Sequence, residues 1–244
     1  RARALVTSRV PLVDLEDWSR RGYRDTRLDD LSPEAAVAVL RGWGVVGTEA
    51  NLAQAAAQVG HHALSVAVIG SYLRAFAGGR IEAAAAFELD AVKGDDARAA
   101  KLARVLAFYA ERLPAEEREL LARLAVFPRG VSLELLGTLV EAGGEVAGLL
   151  VKARPRLLGL LNSLQARGLV FRYASSEAGL ETLTWTAHPF LRDRFRLLLD
   201  CPPEQVFAVV AAARARAASV PTTPQPRSTA TAASGERSSR RVSR

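Results

Sequence analysis

The sequence predicts a mainly α-helical fold: a helical bundle, then a second helical unit closed by a small β-hairpin, with one lone β-prone run ahead of both. Three observations carry this. Apolar residues recur at helical spacing through most of residues 33–165. Capping residues and glycines punctuate that stretch at helix lengths. Alternating β-branched and aromatic residues return only at Leu169–Tyr173 and Leu183–Thr186. The chain has 244 residues, 49% of them hydrophobic, enough for one or two domains with a sizeable core.

Each element has its own signal. Leu5–Arg9 reads as a short strand ending in a polar tip. A lone strand leaves its backbone groups unpaired, and no comparable strand follows for most of the chain, so its sheet is expected upstream. The absence of methionine fits the same expectation. This sets a first segment, 1–27. Ser32–Pro33–Glu34 starts a helix: Ser32 can cap it, Pro33 suits its first position and Glu34 favours its dipole. Val37 and Leu40 form its apolar face, and Gly42 and Gly44 end it. Asn51–Val59 is Ala-rich and stops at Gly60. Ala63–Phe76 follows, with Leu64, Ala67, Val68 and Leu73 inward, then a short helix over Ile81–Phe87. Gly94–Asp95–Asp96 marks a boundary, which gives a helical-bundle domain over 28–93.

The second unit spans 94–200. Leu102, Val105, Leu106, Tyr109 and Leu113 mark one helix; Pro114 opens another with Leu120, Leu121 and Leu124. Ser132 caps a third, and Leu157–Leu164 forms a fourth that stops at Gly168. Two strands follow, joined by a polar loop with Ser175, Ser176 and Gly179. Helices followed by a hairpin are the plan of a winged-helix domain. His188–Pro189 opens a last helix with His188 at its N-cap, then a helical extension covers 201–218. Residues 219–244 hold Pro, Thr, Ser and Arg with little to bury, the composition of a disordered basic tail.

Composition excludes several classes. The single cysteine, Cys201, rules out a disulfide framework and fits a cytoplasmic setting. No apolar run reaches the roughly 20 residues of a membrane helix. The net charge of +7 comes from the two ends, since residues 1–27 carry +3 and 221–244 carry +4. No phosphate-binding G-x-x-x-x-G-K-[ST] loop is present. The adjacent His61 and His62 project in different directions and lack partners at metal-ligand spacing, so no metal ligands are assigned. No catalytic set stands out.

Three stretches resemble one family in order and spacing. Leu5–Arg9 (L-V-T-S-R) is similar to the strand-end sensor of the STAND signal-transduction ATPases, the class that includes the NB-ARC proteins. Gly60–Ser65 (G-H-H-A-L-S) resembles their G-x-x-P-L-A motif, and Ala187–Phe195 (A-H-P-F-L-R-D-R-F) their M-H-D-type motif. The resemblance covers roughly residues 1–200 and identifies residues 1–27 with the end of an α/β ATPase core whose remainder lies upstream.

The resemblance implies a regulatory switch in signalling or defence that closes over ADP and opens for assembly. It implies roles for Arg9 as γ-phosphate sensor, for Gly60, His62, Ala63 and Leu64 as the loop against the adenine, and for His188 as the contact to the β-phosphate of ADP. Ala63 stands where the family usually has proline, which offers the base less surface. ADP or ATP is the implied cofactor, with Mg²⁺ held by the upstream core. The implied partners are that core and further copies of the chain on activation. Without the phosphate-binding loop this chain is not expected to hydrolyse ATP. The alternative is a winged-helix DNA-binding transcriptional regulator. From Val146 to Ser176 there is no acidic residue, while Lys152, Arg154, Arg156, Arg167 and Arg172 could meet phosphates. The helix over 157–166 offers few good base readers, which favours domain docking over DNA.

Overall fold

The computed structural model describes residues 4–8, 12–26, 28–94, 96–177 and 180–219. Arg9 and the segment 220–244 therefore lie outside the described residues. Residues 4–8 form no strand, and Leu5 is 94% exposed. The β propensity of that run is real, but a strand needs a neighbour for its N–H and C=O groups.

Three helices open the fold: α1 (Pro33–Gly42), α2 (Glu49–Gln58) and α3 (Ala63–Phe76). The Ala35 N–H donates to Ser32 Oγ at 3.1 Å, so α1 is capped as its sequence implies. Thr48 caps α2 in the same way through the Asn51 N–H at 3.2 Å. α1 and α2 each bury one face, with Val37 and Leu40 on the first and Leu52, Ala55 and Ala56 on the second. α3 is buried around most of its circumference, with Val66, Val68, Ile69, Tyr72 and Leu73 all enclosed. The narrower apolar face expected from spacing fails because α1, α4 (Ala97–Arg112) and a 3₁₀ stretch (Ile81–Phe87) surround it.

The second half runs α5 (Ala115–Leu124), β1 (Val131–Ser132), α6 (Leu133–Ala142), α7 (Gly144–Ala147), a 3₁₀ stretch (Gly148–Arg156) and α8 (Leu157–Ala166). Strands β2 (Val170–Glu177) and β3 (Leu180–Ala187) follow, then α9 (Pro189–Arg196) and α10 (Pro203–Ser219). The antiparallel sheet has the order β1-β3-β2, with Val131 opposite Trp185 and Tyr173 opposite Thr184. Ser132 has two tasks: it pairs with Thr184, and its Oγ accepts the Leu135 N–H that starts α6. The hairpin is longer than its apolar pattern. Ser175 and Ser176, expected in the loop, belong to β2, while Gly179 lies outside the described residues. α10 lies on α6 and buries Val206 and Val210.

One apolar core runs from Ala36 to Val210, continuous across residue 94. Tyr72 of α3 meets Tyr109 of α4 edge to face at 5.2 Å, and Phe87 meets Phe108 at 5.2 Å. Trp43, just after α1, reaches furthest. A Cβ at Gly70 of α3 would lie 2.9 Å from its Cδ1, and one at Gly168 after α8 would lie 2.7 Å from its Cη2. Only glycine at both places lets the indole sit there. Arg167 adds to the joint, with its guanidinium 5.0 Å over the Phe76 ring and its Nε donating to Glu117 at 3.0 Å.

A buried cation organises the second half. Arg123 of α5 is fully enclosed. It donates to the carbonyls of Val146 at 2.6 Å and Glu145 at 2.8 Å, and it pairs with Glu119 at 2.8 Å and Asp200 at 3.1 Å. Those bonds hold α7 and the end of the α9 segment against α5.

Two outcomes test these joints. Arg123→Met leaves buried carbonyls without their donor and Glu119 without its opposite charge, so stability read from urea unfolding should fall by about 3–5 kcal/mol. Gly168→Ala places a Cβ at φ +68° against Trp43 and should cost about 1–3 kcal/mol. Adding Trp43→Phe should recover part of that loss, so the double-mutant cycle reads a coupling of about 0.5–3 kcal/mol.

Candidate functional site

The turn between α2 and α3 is built by two successive left-handed residues, Gly60 at φ 63° and His61 at φ 54°. Glycine adopts that conformation freely and histidine tolerates it better than most residues. The turn is held from two sides. Leu31 donates its N–H to the His61 carbonyl at 3.0 Å, which ties it to the start of α1. From α4, Lys101 donates to the Gln58 carbonyl at 2.6 Å, and Arg98 passes over Gly60 to fork onto Asp30 at 2.8 and 3.2 Å. These braces aim the N-terminus of α3. His62 is its N-cap, with ring Nδ1 3.0 Å from Ser65 Oγ. Ala63 is exposed at the first helical position, and Leu64 packs against the core.

α9 also has a histidine at its N-cap position, but here the ring caps the backbone. His188 is its N-cap, and the Phe190 N–H donates to His188 Nδ1 at 3.4 Å. Pro189 takes the first position, where its missing N–H costs nothing. The imidazole lies parallel to the Phe190 ring at 5.9 Å. Leu191 and Phe195 bury the other face of α9, and Arg192 donates to the Pro128 carbonyl.

His62 and His188 stand at the N-caps of α3 and α9, and the charge of the first acts on the second. Burial holds the His188 ring below its ordinary pKa, and the charges of His62 and then Arg192 push it the same way. Both imidazoles are half-buried and stand at helix N-termini, where free N–H groups and helix dipoles favour an anion. Gly60, Ala63 and Leu64 belong to the turn and the first residues of the helix that His62 precedes. Arg9 lies outside the described residues, so its place relative to the histidines is not described. Ser65 and Arg192 lie inside the two motifs, but their contacts are not legible there. Ser65 alone carries a signal, since it stands three residues after an N-cap, where capping boxes place their second member.

Four of the five residues of the basic strip have partners within the fold. Arg154 pairs with Glu141, Arg156 with Glu116 at 2.7 Å and Arg167 with Glu117 at 3.0 Å, while Arg172 lies over the Trp185 ring. The exposed positions of α8 are Leu158, Gly159, Asn162, Gln165 and Ala166. Among the described residues no helix is long and apolar enough to cross a membrane.

Comparison with known protein families and with curated proteins finds no match to this chain.

His188 gives the fold a pH dependence with a defined sign. Its folded pKa lies below the ordinary 6.5, so the unfolded chain binds its proton more readily. The stability it contributes is complete above about pH 6.5 and is lost as pH falls towards the folded value. Replacing His188 with Asn keeps a capping side chain and should flatten that part of the stability profile between pH 7 and 5, measured by urea midpoints.

Proposed function

We propose that this chain is the moving arm of a nucleotide-dependent switch of the STAND type, with a small helical domain over α1–α3 and a winged-helix domain from α4 to α9. The arm closes on the diphosphate of ADP, and exchange for ATP releases it for assembly with further copies in the cytoplasm. The hydrolytic centre, with its Mg²⁺, belongs to an upstream core. The order helix, short strand, helices, hairpin, with the short strand beside the second hairpin strand, supports the winged-helix assignment.

One observation carries the reading. His62 and His188 each stand at the N-cap position of a separate helix, and the charge of His62 acts on His188. A pair of anion-favouring ends is a physical requirement for holding a diphosphate, and the exposed Ala63 methyl leaves room for an apolar base edge. The residues fit such a ligand as donors, with no carboxylate among the cap contacts. The DNA-binding alternative is weakened by the internal pairing of its basic strip.

Without the upstream core, ADP should bind weakly, with a Kd on the order of 1 mM. In an amide NMR titration the shifts should cluster at Gly60–Ser65 and His188–Arg192, and His188→Ala should abolish them. Shifts elsewhere, or none, would overturn the reading. Duplex DNA binding that persists without residues 220–244 would favour the regulator instead.

A further inference from the structure

An open groove of about 460 Å³ runs between α6 and the corner where the 3₁₀ stretch Gly148–Arg156 enters α8. One wall is a face of α6. Glu134 and Glu141 stand on it two helical turns apart, so about 10 Å separates them along the axis. Gly137 and Thr138 lie between them, and a Cβ built at Gly137 would meet nothing within 4 Å. The opposite wall carries Pro155 and the half-exposed Leu158. The charge in the groove is not balanced. Among the described residues Glu134 has no ion pair, and Glu141 has one, to Arg154 on the far wall. Both members of that pair are about half exposed, so it holds little free energy and leaves Glu141 able to accept a second cation.

The chain itself carries the counterpart. Residues 237–244 read R-S-S-R-R-V-S-R. Arg237 and Arg240 are three residues apart, and so are Arg241 and Arg244, a spacing of about 10 Å in an extended backbone. Only serine or valine stands between the members of each pair, which suits a groove floored by glycine and threonine beside Leu158. The reach is sufficient. α10 lies on α6 and ends at Ser219. The two helices span about 25 Å and 15 Å, whereas the chain from Ser219 to Arg237 can extend to about 60 Å. We propose that the basic segment 237–244 docks in this groove of its own chain, with one arginine pair meeting Glu134 and Glu141. A guanidinium is always charged and its fork matches a carboxylate. Tethering presents the segment at an effective concentration on the order of 1 mM, so ion pairs too weak to hold a free peptide suffice. Once docked, the segment covers the edge of α8, the helix a winged-helix protein would offer to DNA, and its arginines are no longer free for phosphates.

A nitroxide attached through Ser239→Cys reads the contact as broadening of amide signals in the full ¹⁵N-labelled chain, with Cys201→Ala removing the native thiol. At about 0.03 M salt the broadening should centre on Glu134–Glu141 and Pro155–Leu158, and about 0.3 M salt should relieve most of it. Glu134→Gln should weaken it about threefold. Arg237→Gln, Arg240→Gln, Arg241→Gln and Arg244→Gln together should abolish it. Those four residues lie beyond α10, so this variant stays informative if Glu134→Gln disturbs α6. Broadening that is absent at low salt, spreads evenly over the surface, is indifferent to Glu134→Gln in a chain with unchanged circular dichroism, or survives loss of the arginines overturns the proposal. Nitroxide-bearing chains without ¹⁵N, mixed with ¹⁵N chains without the nitroxide, should give no broadening. Broadening in that mixture would place the segment of a second copy in the groove and overturn the assignment to its own chain.

Discussion

The Trp43 indole holds the two halves of the molecule in register. Its ring edge fills the space left by two missing side chains, Gly70 on the central helix and Gly168 at the end of α8. Dispersion falls off steeply with separation, so a flat ring closed in on both sides gains contacts that a looser joint would forfeit. Arg167 extends the same joint by covering Phe76 and reaching Glu117.

Around that joint several buried polar side chains bond to one another. Glu117, nearly buried, accepts from Ser163 at 2.7 Å as well as from Arg167. Tyr109 and Ser71 bond to each other inside the aromatic cluster, and burial pushes the Tyr109 hydroxyl well above its ordinary pKa. Arg123 donates to the carbonyls of Glu119, Glu145 and Val146 and to the Asp200 carboxylate, and its charge lies beside Glu119. Such sets add little net stability over an apolar filling, but an arrangement that breaks one of them is penalised heavily. They oppose a slide of α5, α7 or α8 along its neighbours.

Legibility followed the range of the interaction. Caps are local, so Ser32 and His188–Pro189 announced their helices in the chain itself. β1 did not, because two residues carry no periodicity and Ser132 reads fully as a cap. Arg123 sits among leucines on a helix and looks like a surface cation; its burial follows from α7, which lies later in the chain. Leu5–Ser8 has β propensity but forms no strand among the described residues, because pairing with a neighbour decides whether such a run becomes one. The candidate site was half legible. His188 and Gly60–Ser65 stood out by motif, but the charge of His62 acting on His188 is tertiary.

The enclosure of α3 has a consequence for biosynthesis. Tyr72 and Phe76 are covered by Tyr109 from α4 and by Arg167 from beyond α8. Chains emerge from the ribosome at about 5–20 residues per second, so the aromatic side of α3 waits roughly 5–20 s for its last cover. During that interval the helix is an exposed apolar surface with no face suited to water. The nascent protein passes through its most aggregation-prone stage there, when α1–α3 have been made and the second half has not.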